Sequence, residues 1–191
     1  MTVRVYHFDE QLVMSNGQQA TTDITRILLK ALPGSLQVIK AHEANDRRGT
    51  DWWVERPGGR FVGVDCKVRA TDWAAKPPGR RRDDLALETW SVVEASKIGW
   101  TLDPTKQTDY ILWLWQDSGR WVLIPFPFLC AAFLHHQREW TRRFQVARQA
   151  TPQSQGTYHS ECCFVPRPVV WQAILDLYGG KPREGAGSCK I

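Results

Sequence analysis

The sequence predicts an α/β fold with a mixed central sheet flanked by helices. Segment 21–31 places apolar residues at helical spacing behind a threonine cap. The apolar segments on either side of RPGGR (56–60) predict a β-hairpin, because paired glycines supply the positive φ angles that tight turns need. A second apolar pair, TDYILWLWQ and GRWVLIPF, meets at DSG in the same way. Helices that alternate with strands in this manner are typical of an α/β fold.

Local signals predict the remaining elements in chain order. VRVYHF (3–8) and LQVIKAH (36–42) predict strands. Segment 84–97 has acids at its start and Lys97 at its end, which predicts a second helix. Pro127 predicts the start of a long helix that extends to about Ala150. The last predicted elements are a strand in YHSECCFVP and a helix in RPVVWQAILDLY.

Composition favours one globular domain. The chain has 191 residues, of which 42% are hydrophobic and 24% charged, which excludes wholesale disorder. We expect a domain over 1–179, a core over about 21–116 and a flexible tail over 180–191. Five cysteines without paired CxxC spacing, and no start typical of a signal peptide, favour the cytoplasm. The apolar runs are too short to span a membrane, and the net charge of +5 is compatible with a polyanionic partner.

Charged side chains occupy only one face of the apolar segment FVGVDCKV (61–68). Alternate side chains of a strand share a face, so Asp65 and Lys67 lie together, opposite an aliphatic face. Asp51 begins the preceding strand. A two-residue turn would send Asp51 to the wrong face, whereas a three-residue loop would unite Asp51, Asp65 and Lys67. The glycine pair favours the three-residue loop, so we predict a site with these three side chains.

Two carboxylates beside an amine suit phosphoryl chemistry. The carboxylates of Asp51 and Asp65 repel each other unless a cation lies between them. Hard oxygen ligands suit Mg²⁺, with Mn²⁺ as a substitute, and the Cys66 carbonyl could supply a further oxygen. Lys67 could orient the attacking water or neutralise charge on the phosphate. The pattern therefore predicts hydrolysis of a phosphodiester bond.

The array GTD, thirteen residues, then DCK resembles the PD-(D/E)XK nuclease superfamily over roughly residues 21–115. The resemblance implies a restriction-endonuclease-like αβββαβ core with C-terminal helical additions. It also implies a Mg²⁺-dependent deoxyribonuclease with Asp51 and Asp65 as metal ligands and Lys67 as the electrostatic catalyst. Thr50 stands at the nominal proline position. The family often adds an acid from the first helix or nearby, for which Glu43 is the first candidate and Glu88 the second.

Alternative hypotheses stay open beside the nuclease. Segment 85–113 also looks like proteins of phage and mobile elements, where a silent module of this fold would bind DNA or a host defence protein. The ten tryptophans suit such a protein interface. RNA and branched DNA are alternative substrates, and a homodimer would cut both strands. In the simplest alternative, Asp65 and Lys67 form an ordinary ion pair on a solvated edge strand.

Further residues are candidates for nucleic-acid contacts. Arg80, Arg81 and Arg82 lie in a polar loop and could contact phosphates. One of the adjacent Trp52 and Trp53 should face the core, and Trp53 is the candidate for stacking on a base. Segment 159–163 (HSECC) carries thiols and a histidine, but Cys189 is a poor fourth ligand, so we expect no zinc.

Overall fold

Ten strands and three α-helices form the part of the chain that the structure describes. The computed structural model describes residues 4–5, 18–42, 45, 48–153 and 156–179. The strands are β1 (Arg4–Val5), β2 (Gln37–Lys40), β3 (Trp52–Arg56), β4 (Arg60–Arg69), β5 (Asp84–Val92), β6 (Lys97–Ile98), β7 (Tyr110–Trp115), β8 (Trp121–Pro125), β9 (Gln145–Gln153) and β10 (Gly156–Pro166). The helices are α1 (Gln18–Ala31), α2 (Phe126–Arg143) and α3 (Arg167–Tyr178), with a 3-10 turn at Trp73–Ala75.

The first sheet, here called the site sheet, has the strand order β2-β3-β4-β7-β8. Strands β4 and β7 are parallel, and the other neighbours are antiparallel, so the sheet is mixed. Helix α1 packs on one of its faces through Ile24, Ile27 and Leu28, which cluster with even-numbered side chains of β2, β3, β4 and β7 and with odd-numbered side chains of β8. This contact fixes which face of β3 and β4 is core.

The second sheet has the order β1-β9-β10-β5-β6. Side chains from both sheets and from α2 and α3 form one buried cluster, which includes Leu85, Trp113, Phe133 and Val165. The odd-numbered residues of β7 belong to this cluster, and its even-numbered residues belong to the α1 cluster. The centre of the site sheet is therefore covered on both sides.

Arg120 links the two sheets through a buried carboxylate. Its guanidinium donates to both oxygens of Asp72, at 2.7 and 2.8 Å, and to Asp83 Oδ1 at 2.9 Å. Arg167 at the start of α3 donates to the other oxygen of Asp83. The hydrogen bond from Arg120 lowers the pKa of Asp72 to about 2. This network ties the loop after β4 to the beginnings of β5, β8 and α3.

The structure confirms the α/β class with a mixed sheet and several predicted elements. The first helix, both hairpins, the strand in 158–166 and the last helix form as predicted. The predicted strand at 36–42 is shorter, covering Gln37–Lys40, and Arg4–Val5 is the described part of the strand predicted at 3–8. The predicted tail at 180–191 lies outside the described residues. No described helix has both the length and the apolarity that a membrane crossing requires.

The predicted helix over 84–97 is wrong, because this segment forms β5 and β6. Leu85, Leu87 and Thr89 are buried while their neighbours are less so, which is the period of two of a strand. The acids and the lysine at its ends gave a misleading helix signal. The αβββαβ order is therefore not reproduced, since parallel β4 and β7 are connected through strands of the second sheet.

The predicted long helix starts correctly but ends too late. Helix α2 ends at Arg143, and Phe144 closes it by donating its N–H to the Trp140 carbonyl. Residues 145–153 form β9, which pairs with β10 over nine residue pairs. Their pairing begins at Gln153 with Gly156, so a hairpin replaces the end of the predicted helix, and this pairing outweighs the local preference for helix.

Candidate active site

A three-residue loop joins β3 to β4 and sets the faces of the site sheet. The last pair of the hairpin is Arg56 with Arg60, so the loop is 57–59, and both of its glycines have positive φ. Pairs in this hairpin have residue numbers that sum to 116, as in Trp52 with Val64. The next position along places Asp51 beside Asp65. The predicted loop length is confirmed.

Backbone contacts hold Asp51 at the start of β3. Its N–H donates to the Val64 carbonyl at 3.0 Å, and its Oδ2 accepts the N–H of Cys66 at 2.7 Å. The buried Thr50 hydroxyl donates to the carbonyl of Gln107, which anchors the preceding residue. The Asp51 carboxylate is therefore fixed against the strand that carries Asp65 and Lys67.

Asp65 and Lys67 form a close ion pair on β4. The Lys67 Nζ lies 2.9 Å from Asp65 Oδ1 and 2.8 Å from Oδ2. The Asp65 side chain is 8% exposed and that of Lys67 is 24% exposed, so the pair is not the solvated edge pair of the simplest alternative. Burial lowers the pKa of Lys67, but the carboxylates of Asp65 and Asp51 outweigh it and leave that pKa above its usual value. The amine is therefore charged.

Asp51 lies in a site with too little positive charge for two carboxylates. Burial, followed by repulsion from Asp65, raises the pKa of Asp51 to about 8. The single ammonium group of Lys67 and the Cys66 N–H only partly oppose this rise. A further cation between the two carboxylates would relieve the repulsion.

Trp100 and Glu88 lie beside the ion pair. The Lys67 Nζ lies 5.4 Å from the centre of the Trp100 ring, a cation–π distance that helps to hold the amine. The backbone N–H of Trp100 donates to Glu88 Oε2 at 3.1 Å. Gly99 lets the loop before Trp100 lie directly against β5, since a Cβ at Gly99 would overlap the backbone carbonyl of Glu88. Burial raises the pKa of Glu88, which lies on β5 rather than on the predicted helix.

The site opens into a cavity of about 240 Å³ between the two sheets. Asp51, Asp65, Lys67 and Glu88 line it together with the following residues: Gly49, Ser91, Lys97, Ile98, Trp100, Asp103 and Lys106. Sequence patterns do not identify Lys97, Trp100 or Lys106. Lys97 reaches the cavity through the pairing of β5 with β6, and Lys106 through the hydrogen bonds of the neighbouring Gln107 with Arg48 and Thr50. The dipeptide GW at 99–100 was the only local signal, as a glycine beside a large ring often marks close packing.

The donor set fits a hard divalent cation that keeps several waters. Among the described residues, no three His, Cys, Asp or Glu side chains form a group that could hold a metal by themselves. Mg²⁺ is commonly held by one or two carboxylates with water and substrate oxygens, for which Asp51 and Asp65 suffice. The N–H of Cys66 points to Asp51, and its carbonyl leaves the strand on the same side. The thiol of Cys66 is not part of this donor set, because burial raises its pKa well above the usual value.

Other predicted residues lie apart from the cavity or outside the described residues. Glu43 is not among the described residues. Arg80, Arg81 and Arg82 are exposed in the loop before β5 and do not line the cavity, and Arg82 donates to Gln145. Trp52 is buried and Trp53 is half-buried, as predicted.

The segment HSECC is built into β10. His159 bonds to Glu94 through its backbone N–H and through Nδ1. Cys162 and Cys163 are both buried, and burial raises the pKa of their thiols to about 12 and about 11. Cys189 lies outside the described residues. His159, Cys162 and Cys163 are thus held within β10 and do not line the cavity.

Comparison of the chain with protein-family models, with curated proteins and with solved structures finds no match.

Proposed function

We propose that this chain is a Mg²⁺-dependent nuclease that hydrolyses phosphodiester bonds of DNA. The main support for this proposal is that Asp51, Asp65 and Lys67 lie on one face of two adjacent strands and line a cavity. Two buried carboxylates with one ammonium group are a costly arrangement in a fold that needs only stability. Functional sites are where such clusters are retained.

The carboxylates of Asp51 and Asp65 would hold the cation, with the Cys66 carbonyl as a further oxygen. Bound there, Mg²⁺ or Mn²⁺ would supply charge stabilisation at the phosphate and would acidify water. Lys67 is held by Asp65 and Trp100, so its ammonium group has a fixed direction toward the cavity. It would stabilise negative charge that develops on the phosphate during attack.

Further charged residues that line the cavity would orient the substrate. Glu88 lines the cavity together with the carboxylate pair, where it could accept a proton from the attacking water or add a ligand. Lys97 and Lys106 line the same cavity and would contact the phosphates on either side of the cleaved bond. These lysines would offset the repulsion between the carboxylates and a polyanion.

The PD-(D/E)XK superfamily remains our proposal for the ancestry of the fold. One observation in its support is the order of elements in the site sheet. A helix (α1) precedes three consecutive strands (β2, β3 and β4), and a later strand, β7, pairs in parallel with β4. The acid before β3 and the acid-x-lysine within β4 occupy the positions that the resemblance implies. The connection between β4 and β7 departs from the pattern, because it contains strands in place of a helix.

A plasmid cleavage assay with Mg²⁺ or Mn²⁺ tests the proposed activity. We expect the wild-type chain to nick or cut DNA, and Asp65→Asn and Lys67→Ala to lose at least a hundredfold in rate. Lys76→Ala is the matched control, since Lys76 also pairs with an aspartate, Asp117 at 3.3 Å, but lies outside the cavity. Circular dichroism would establish that each variant is folded.

Two outcomes would contradict the proposal. One is cleavage by Asp65→Asn and Lys67→Ala at the wild-type rate, which would place the activity elsewhere or in a contaminant. The other is a folded wild-type chain without cleavage of duplex, single-stranded or branched DNA or of RNA. The silent module that binds DNA or a host defence protein would then be the better hypothesis.

A further inference from the structure

The site sheet continues beyond the carboxylates as an open surface with apolar side chains. Strand pairing places Ile39, Trp53 and Gly63 side by side in the row next to Asp51 and Asp65. Phe61 lies in the following row, on the same face. Ile39 is 41% exposed and Phe61 is 51% exposed. We call Ile39, Trp53 and Phe61 the apolar platform.

The Trp53 ring is positioned on the platform by the absence of a side chain at Gly63. A Cβ at Gly63 would lie 3.3 Å from Trp53 Cζ3 and 2.9 Å from Thr50 Oγ1. The ring therefore reaches across β3 onto β4, and it remains partly exposed there. A bulky indole beside a buried glycine gives a broad aromatic surface adjacent to the acid pair.

The spacing of the platform matches a chain of nucleotides that leaves the cavity. Two residues along a strand span about 6.6 Å, so Trp53 lies one such step from the carboxylates and Phe61 two steps. Two steps, about 13 Å, cover several bases at roughly 3.4 Å per stacked base. A strand whose phosphate lies at Asp51 and Asp65 can therefore bring its next bases over Trp53 and Phe61.

The chemistry of the surface favours bases over other occupants. Aromatic rings bind the flat faces of bases without regard to sequence, and these faces are accessible only when the bases are unpaired. The platform is also continuous with a cavity that Lys97 and Lys106 line, which suits the phosphate backbone of the same nucleic-acid strand. Apolar stacking and phosphate contacts thus lie side by side.

We propose that the apolar platform binds unpaired bases next to the cleaved bond, so that the preferred substrate is single-stranded DNA or a duplex with a single-stranded extension. This inference rests on the proposed nuclease function, since it identifies the substrate class of that site. Trp53 was a stacking candidate from sequence, whereas Ile39 and Phe61 are identified by the register of the sheet.

Fluorescence anisotropy with labelled oligonucleotides in EDTA tests the platform independently of cleavage. We expect the wild-type chain to bind a single strand more tightly than a blunt duplex. Phe61→Ala and Trp53→Ala should weaken single-strand binding at least fivefold and leave duplex binding unchanged. Phe128→Ala is the matched control, because Phe128 is also an exposed phenylalanine (39%) but stacks on Tyr178 at the surface of α2.

Several results would overturn the platform proposal. These are equal wild-type binding to single strands and duplexes, unchanged single-strand binding by Phe61→Ala and Trp53→Ala, or no binding of single strands.

Sedimentation that shows a wild-type dimer and a Phe61→Ala monomer would assign the surface to self-association. Metal-dependent cleavage of single-stranded DNA at equal rates by wild type, Phe61→Ala and Trp53→Ala would overturn the platform and leave the nuclease proposal intact. Single-strand binding that depends on Phe61 and Trp53, without any cleavage, would support the platform and contradict the nuclease proposal.

Discussion

At the scale of single residues, the site holds two carboxylates, Asp51 and Asp65, that repel each other, and neighbouring groups keep them in place. Lys67 is fixed between Asp65 and Trp100, and Asp51 is fixed by the Cys66 N–H. Sequence could predict Asp51, Asp65 and Lys67 because strand alternation and loop length together determine which face each side chain occupies. It could not predict Lys97, Trp100 and Lys106, since no local pattern relates their segments to β4.

Glu88→Gln tests whether the buried acid on β5 takes part in the reaction. The amide has the same shape and keeps an oxygen for the Trp100 N–H, so the fold should tolerate it. The carboxylate charge that faces Lys67 is lost, and we expect the cleavage rate to fall at least tenfold. Gln172→Glu, on exposed α3, is a control for a change of the same size and should leave the rate unchanged. A wild-type cleavage rate for Glu88→Gln would show that Glu88 only supports the loop.

Gly99→Ala tests the close approach of the loop to β5. A Cβ at this position overlaps the Glu88 carbonyl, so the backbone must shift and Trp100 must move away from Lys67. We expect a loss of about 1–3 kcal/mol in the free energy of unfolding, together with reduced cleavage. Urea denaturation measures the first effect. Unchanged stability and activity would contradict the described packing.

At the scale of elements, strand pairing decides what local signals leave ambiguous. Segment 84–97 carries helix-like charges at its ends, whereas its first part has the strand-like alternation of Leu85, Leu87 and Thr89. Pairing with β10 selects the strand. Segment 145–153 pairs with β10, the next strand along the chain, instead of extending α2. The elements predicted correctly, such as α1 and the two hairpins, are those with a clear cap or a glycine turn in the sequence.

The carboxylate of Asp72 should make stability depend on pH in the acidic range. Its pKa of about 2, below the usual 3.8, means that its pairing with Arg120 stabilises the fold fully above about pH 4. This contribution is lost as the pH falls toward 2, when the folded state must also be protonated. The difference in pKa corresponds to about 2 kcal/mol.

Urea denaturation at pH 7, 5 and 3 measures this effect. We expect Asp72→Asn to be less stable than the wild type at pH 7 and to show a weaker loss of stability between pH 5 and 3. Asp176→Asn, at an exposed position on α3, should follow the wild type. Parallel pH curves for wild type and Asp72→Asn would mean that the ion pair does not hold the two sheets together.

At the scale of the whole molecule, the two sheets form the cavity jointly. The site sheet supplies the carboxylates and Lys67, and the second sheet with its β6 loop supplies Glu88 and Lys97. The α/β class could be predicted from the order of elements. The existence of a second sheet could not, because the sequence predicts helix for β5 and for β9, and β9 links the predicted strands β1 and β10 into one sheet.

The salt dependence of DNA binding shows which basic residues contact phosphates. Each lost phosphate contact lowers the slope of log affinity against log salt by roughly 1. We expect Lys97→Ala with Lys106→Ala to lower the slope by about 2, because both lysines line the cavity. Arg80→Ala with Arg81→Ala compares the exposed loop predicted from sequence. A slope that is unchanged by the lysine pair and lowered by the arginine pair would move the phosphate path to that loop.

The most direct measurement is a crystal structure of the wild-type chain with Mn²⁺, analysed by anomalous scattering. We expect one peak between the carboxylates of Asp51 and Asp65, about 2 Å from an oxygen of each and close to the Cys66 carbonyl. Asp65→Asn crystals treated in the same way should show a weaker peak or none. A wild-type structure at saturating Mn²⁺ with no peak between these two carboxylates would contradict the central claim.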